Sequence, residues 1–370
     1  MSKPALTWNL HLPDMSVDRK KGAGLKKRKI CSVLIAGILS VGMILTGCGA
    51  GQPGGQPGGQ SQKKVTEAEK KLKVVTTIFP QYDFVRQIAG DQVELQMLLK
   101  PGEETHSYEP TPQDIIAIQN CDLFIYVGGE NDAWVEDILE SMPDNGRKTL
   151  KLTDCVDTVE EEQKEGMKEE RDHDHEDGQD QDSHDEESHS VHEIDEHVWT
   201  SPVNAEKIVE VLADQLEELD QKNAAVYKEN AAEYEEKLQE LDGQFREVVE
   251  NADSRLLIFG DRFPFRYLAE EYGLDYYAAF SGCASDTEPS AATMAFLINK
   301  VKEEKVPTVL KMELSNDNIA KAIAEATGTD VKVFYSCHNL TAQEFKDGET
   351  YLSMMEKNVE TLKEVLNGWH

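Results

Sequence analysis

The sequence predicts an α/β protein built as two parallel-sheet α/β sandwich lobes joined by one long rigid helix. Three observations predict this. Behind an N-terminal leader and tether about 300 residues remain, more than one compact core comfortably holds. Short apolar runs alternate with helical segments in both halves, the pattern of βα units with parallel strands. Between the halves lies a charged, Ala/Glu-rich stretch, AAVYKENAAEYEEKLQELDGQFREVVEN, from Ala224 to Asn251. At 1.5 Å per residue it reaches about 40 Å as a helix, enough to link two lobes as a strut.

The elements follow in order. Leu72–Thr77 is an apolar strand, Pro80–Ala89 a helix, and Val93–Leu99 a second strand that leads into a Pro- and Gly-containing loop, 101–112. A helix over Pro112–Asn120 precedes the strand Leu123–Val127, and another opens after Ser201-Pro202 and runs to about Asp220. The second half repeats the pattern. Strands are expected at Leu256–Phe259, Leu274–Phe280, Thr308–Met312 and Val331–Tyr335, and helices at Phe265–Tyr272, Thr293–Glu304, Asn318–Thr327 and Tyr351–Asn367.

The N-terminus reads as an export signal. Seven basic side chains between Arg19 and Lys29 precede an almost continuous apolar run, Ile30–Gly47, that ends in Leu45-Thr46-Gly47-Cys48. That ending resembles the lipobox of bacterial lipoproteins, which implies a lipidated Cys48 and a protein held at the outer face of the membrane. Residues 48–70 repeat Gln-Pro-Gly-Gly and form a flexible tether spanning on the order of 25–30 Å. The expected organisation is then a signal peptide at 1–47, the tether at 48–70, a first lobe at 71–222, the connecting helix at 223–250 and a second lobe at 251–370. A mobile loop at 157–196 interrupts the first lobe.

Charge narrows the partners. The chain carries a net −33, and without residues 1–47 it has 30 Lys+Arg against 69 Asp+Glu, a net of −39. Such a balance excludes nucleic acid and anionic lipid as partners and favours cations. From Glu160 to His197, 38 residues hold 18 carboxylates, 6 histidines and 3 basic side chains. A tract this polar cannot bury enough apolar surface to order itself. A charge run alone reads as a solvated linker, but His173, His175, His184, His189 and His192 within it supply nitrogen and oxygen ligands suited to zinc, the composition of a metal-collecting loop. Cys121 and Cys155 in the first half, and Cys283 and Cys337 in the second, allow one disulfide per half in an exported chain; free buried thiols are the alternative.

Two further histidines mark a site. In open α/β sheets ligands bind beyond the C-terminal ends of the strands, and His106 sits in such a loop, Pro101-Gly102-Glu103-Glu104-Thr105-His106-Ser107-Tyr108-Glu109-Pro110. His197 ends the acidic tract, and the apolar Val198 and Trp199 directly after it place it at the edge of a structured region.

Thr77-x-Phe79-Pro80-x-Tyr82-Asp83-Phe84, His106-Ser107-Tyr108-Glu109-Pro110, Glu196-His197-Val198-Trp199 with Ser201-Pro202-Val203-Asn204, and Thr350-Tyr351-Leu352 with Met355 resemble the metal-binding component of zinc and manganese ABC importers. The resemblance covers nearly all of 71–370. It implies a metal site in the cleft between the lobes, with His106 and His197 as first-lobe ligands, and a histidine-rich loop of the kind found in the zinc-importing branch. In the second lobe the chain departs from the family pattern. The family's ligand turn reads Gly260-Asp261-Arg262-Phe263-Pro264 here; with one inserted residue Asp261 takes the ligand position, and without a gap Arg262 does. Arginine stays protonated and cannot ligate. The last ligand, often Asp in the family, falls near Tyr335-Ser336-Cys337-His338, where His338 is the substitute, either as ligand or as an ordinary surface histidine.

The expected function is therefore capture of Zn²⁺ outside the membrane and delivery to an ABC permease with its ATPase, by a monomer that is not an enzyme. A manganese receptor of the same family is the alternative, since the second-lobe ligands set the choice. Imidazole ligands favour zinc, whereas manganese prefers oxygen. A lipoprotein that buffers zinc or supports adhesion without transport is a further reading. An exported zinc hydrolase would need a general base and a substrate pocket, and neither His-Glu-x-x-His nor Gly-x-Ser-x-Gly occurs.

Overall fold

The computed structural model describes residues 70–104, 108–143, 145–167, 193–284 and 288–368. The leader, Cys48, most of the tether, His106 and the tract histidines His173, His175, His184, His189 and His192 lie outside the described residues.

The first lobe runs β1 (Leu72–Thr76), α1 (Phe79–Ala89), β2 (Val93–Met97), α2 (Pro112–Asn120), β3 (Leu123–Tyr126), α3 (Ala133–Ser141) and β4 (Lys148–Lys151). A single 3₁₀ turn, Val198–Thr200, precedes α4 (Pro202–Leu219) and the long α5 (Ala224–Glu250). The second lobe follows as β5 (Leu256–Phe263), α6 (Arg266–Tyr272), β6 (Asp275–Ser281), α7 (Ala291–Glu304), β7 (Thr308–Lys311), α8 (Asn318–Thr327), β8 (Asp330–Val333), α9 (Ala342–Asp347) and α10 (Tyr351–Asn367). Local chemistry fixes several starts. Thr111 caps α2 in a reciprocal box with Asp114, and Pro112 fills the position that needs no N–H donor. Ser201 caps α4 by accepting from Asn204 N, with Pro202 at the first helical position, and Thr350 forms a reciprocal box with Ser353 at the start of α10.

Each lobe holds one four-stranded sheet, ordered β2-β1-β3-β4 and β6-β5-β7-β8. Every strand pair in both is parallel. The strand order reverses beside β1 in one sheet and beside β5 in the other. These are the switch points beyond whose C-terminal ends open α/β sheets bind ligands.

Three features add to or alter the expectations. First, the connecting helix α5 packs against α1, α4 and α10. One apolar core runs from Val74 and Leu123 of the first sheet, through Leu212 and Phe245 of the helical layer, to Phe259 and Leu310 of the second. The buried face of α5, Tyr227, Ala231, Tyr234, Leu238, Leu241 and Phe245, recurs at helical spacing, and this apolar stripe gives the helix its partners. Second, α3, β4 and α9, all short, were not anticipated. Third, the acidic tract is ordered at both ends, 157–167 and 193–196, although it reads as one mobile loop. Backbone bonds join them, Glu161 N to Glu193 O (2.9 Å) and Asp195 N to Val159 O (2.9 Å). The second lobe then holds the pair: Tyr267 Oη donates to Asp195 O (2.6 Å), Tyr276 Oη to Glu162 (3.2 Å), and Lys164 reaches Asp275 (3.0 Å). Composition misses this because the anchors stand about a hundred residues away. Of the two thiol alternatives, the free one holds: Cys121, Cys155, Cys283 and Cys337 are all unbridged.

One buried carboxylate joins the first lobe to the last helix. Asp83 of α1 is fully buried; Oδ1 accepts from Arg86 Nε (2.9 Å), and Oδ2 from Tyr351 N (2.7 Å) at the start of α10. A carboxylate there also complements the positive end of the helix. Asp83→Ala leaves Arg86 without this partner and should lower stability by about 3 kcal/mol, read as a fall in the urea midpoint; an unchanged midpoint would remove this contact from the list of fold determinants.

Candidate metal centre

His197 is built from its immediate neighbours. Asp195 folds back so that its Oδ1 accepts from His197 N (2.8 Å) and lies 2.9 Å from His197 Nδ1. That contact places the ring proton on Nδ1 and leaves Nε2 with its lone pair, the tautomer of a ligating imidazole oriented by a carboxylate. Nε2 is buried and has no hydrogen-bond partner among the described residues. Burial lowers the basicity of His197, but the Asp195 carboxylate outweighs it, and the pKa is raised above the ordinary imidazole value. Gly282 backs the ring: a Cβ at that position would come within 3.0 Å of His197 Cε1 and 3.1 Å of Phe263 O.

His338 arrives from the other lobe. It follows β8 in the segment 335–340 and is only 8% exposed, so the surface reading falls. Its carbonyl accepts from Phe79 N (3.2 Å), and its Nδ1 lies 3.1 Å from Ser336 Oγ. The rings of His197 and His338 stand edge to face, 4.7 Å apart. The Trp199 indole touches both, at 5.6 Å and 4.8 Å, and donates Nε1–H to Ser336 O (2.9 Å). The two histidines, 141 residues apart, are thus brought together.

Asp261 is placed differently. Its Oδ2 accepts from Met312 N (2.9 Å) and from the Ser315 hydroxyl, and its Oδ1 from Arg262 N (2.9 Å). The carboxylate therefore braces the end of β7. The guanidinium of Arg262 meets Glu104 instead, at 3.8 Å. Arg262 and His338 line one small cavity of about 30 Å³ with Glu103, Glu104, Glu313, Ser315, Ser336 and Asn339. Asp261 lines a neighbouring one that excludes His338.

His106 lies outside the described residues, but the segment leading to it reaches this cavity. Asn339 Nδ2 donates to Lys100 O and Glu103 O, each at 2.8 Å, so a buried second-lobe amide holds the beginning of the His106 loop.

Sequence reasoning missed Asp195, two residues before a candidate ligand, where a carboxylate spaced to fold back was the available signal. It also missed a second donor set: Glu196, His197 and Cys283 each bring a ligand atom within 4.8 Å of the others. Glu196 is held by Asn131, whose N–H lies 3.2 Å from its Oε2. The Cys283 thiol is pushed strongly up by burial and then by Glu196, Glu161 and Asp195, so it stays protonated. Buried imidazoles with carboxylates nearby fit a nitrogen/oxygen site for a divalent ion such as zinc.

The comparisons with known proteins agree with this geometry. The family described as zinc-uptake complex component A, periplasmic, matches residues 74–365. The chain is 36% identical over 305 residues to the zinc-binding lipoprotein AdcA of Streptococcus pneumoniae, covering 80% of this chain and 56% of AdcA, so it spans little more than half of that relative. It is 33% identical over 296 residues to the high-affinity zinc uptake system protein ZnuA of Bacillus subtilis, covering 80% of this chain and 88% of that protein. The crystal structure of the Zn(II)-bound ZnuA-like domain of S. pneumoniae AdcA superposes with a TM-score of 0.63 at 32% identity, over 80% of this chain and 99% of that domain. Two parallel-sheet lobes, a buried histidine pair and a match over most of the length converge: the chain belongs to the zinc-uptake complex component A family.

Proposed function

We propose that this protein is an extracytoplasmic receptor that captures Zn²⁺ and delivers it to an ABC-type permease and its ATPase, held to the membrane by a lipid on Cys48. One observation carries the reading: the buried Nε2 of His197, its tautomer set by Asp195, stands without a hydrogen-bond partner among the described residues, beside the ring of His338. Zinc is the cargo, and His106, His197 and His338 are its proposed ligands. Asp261, with both oxygens engaged, is assigned to bracing β7. Neutral imidazole favours zinc over manganese, and no bond of a substrate need break. The described ends of the acidic tract pair through Glu160 and Ile194, three residues before His197, and the histidines His173, His175, His184, His189 and His192 between those ends are proposed to raise the local ion concentration near the site.

A zinc titration of the full chain against a chelator of known affinity, with manganese in parallel, tests the reading. One tight zinc site with manganese far behind is expected. His106→Ala and His197→Ala should each abolish it, and His338→Ala should weaken it by roughly tenfold or more; tight binding retained by all three would end the assignment.

Acidity should act through His197. Its raised pKa makes protons compete with zinc at a higher pH than the ordinary value of about 6.5. Affinity should thus decline as pH falls through that raised value. Asp195→Asn should weaken zinc at neutral pH by about 10–100-fold, the usual scale for an orienting partner, and move the decline to lower pH. A pH profile identical to that of the unaltered protein would deny Asp195 its role.

Deleting residues 168–192, between the two anchored ends, should spare the tight site and remove additional weak ions. Loss of the tight site in equilibrium dialysis would show instead that the tract completes it.

A further inference from the structure

The turn after β5 gives the ion little. Asp261 spends its carboxylate oxygens on Met312 N, the Ser315 hydroxyl and Arg262 N. The guanidinium of Arg262 stays protonated and cannot ligate. A different second-lobe segment reaches His197. β6 ends at Ser281, and the chain beyond its C-terminal end passes against the imidazole. A Cβ on Gly282 would come within 3.0 Å of His197 Cε1 and 3.2 Å of its Nδ1, so the absence of a side chain is what permits this approach. The next residue is Cys283.

Three donors meet there. One ligand atom each from Cys283, His197 and Glu196 lies within 4.8 Å of the other two. The histidine is fully buried, with Nδ1 engaged by Asp195 and Nε2 without a hydrogen-bond partner among the described residues. Glu196 is buried as well, and among the described residues its carboxylate accepts only from Asn131, through the backbone N–H and the side-chain amide. A carboxylate has about four lone-pair sites, so these two bonds leave room for a metal. Backbone contacts hold the sulfur in place: Cys283 N donates to Glu161 Oε1 (2.8 Å), and Glu161 N to Glu193 O (2.9 Å).

We propose that Cys283 is a thiolate ligand of the captured zinc, with His197 and Glu196 as its neighbouring nitrogen and oxygen donors. The inference deepens the zinc-receptor reading and rests on it. Zinc accepts thiolate, imidazole and carboxylate ligands alike. In the metal-free protein, burial and then the charges of Glu196, Glu161 and Asp195 keep the sulfur protonated, while the Glu196 N–H pulls the other way. The same three carboxylates make the place attractive to a dication. On binding, the S–H bond breaks, its electron pair forms the Zn–S bond, and the proton passes to solvent. The thiolate also bears on the choice of metal. It is soft and suits zinc, whereas manganese is better served by oxygen.

Cobalt(II) loaded into the metal-free full chain tests the sulfur directly. A thiolate bound to cobalt gives a near-ultraviolet charge-transfer band that imidazole and carboxylate ligands do not. The unaltered protein should show the band, and Cys283→Ser, with every other cysteine kept, should lose it. Chelator competition should find zinc weakened by roughly tenfold or more in Cys283→Ser, with its margin over manganese narrowed. Calorimetry in buffers of different ionisation enthalpy should count about one proton fewer released per zinc in that variant. The band in the unaltered protein needs no variant to fold. Tight zinc and cobalt binding without it overturns the thiolate ligand and leaves the receptor reading standing, as does a band undiminished in Cys283→Ser. Absence of tight zinc binding by the unaltered protein overturns the receptor reading itself.

Discussion

The buried indole of Trp199 is the contact on which the geometry of the cleft depends. It is 1% exposed and lies against the rings of both His197 and His338. Its N–H reaches Ser336 O in the second lobe, and its carbonyl accepts from the Tyr351 hydroxyl of α10 (2.7 Å). One residue thus sets the distance between imidazoles from different lobes. Both of its polar groups are paired, as a buried indole and peptide require. Tyr351 in turn is held at its backbone by Asp83, so the chain of contacts runs from α1 through α10 to the histidine pair.

How much of this was legible in the sequence follows from what each feature depends on. Caps and prolines are local signals, and α2 and α10 fall on the expected residues because Thr111-Pro112 and Thr350 act within one turn. The parallel sheets were legible for the same reason: alternating apolar runs need only their own residues. The short strand β4 carries only half-exposed or exposed side chains and shows no period to read, whereas α3 does hold one, Trp134, Val135, Ile138 and Leu139 at helical spacing, that the sequence reading passed over. His197 and His338 stood out by type and context, but their meeting depends on a path of 141 residues that no spacing records.

The ordered ends of the acidic tract teach the same lesson from the other side. Composition argues correctly that eighteen carboxylates cannot make a core. It cannot register that Tyr267 and Tyr276, on the far lobe, offer hydroxyls at the right height for Asp195 and Glu162. Asp261 reverses the case. In sequence it is the natural oxygen ligand of a metal-binding turn, and in space it terminates β7 by accepting from Met312 N and Ser315. The side chain that faces the cavity is the neighbouring arginine.

The continuous core has a consequence for release. Relative domain motion is the default where an interface is small and polar, and it is resisted where the interface is large and apolar. Here α1, α4, α5 and α10 form one apolar layer that both sheets share. Swinging the lobes apart would expose that layer, at a cost of roughly 25 cal/mol for each Å² of apolar surface returned to water. The start of the His106 loop is tied across the cleft by the Asn339 amide and by one long ion pair, Arg262 to Glu104. The helical layer is therefore the fixed frame on which His197 and His338 are held together.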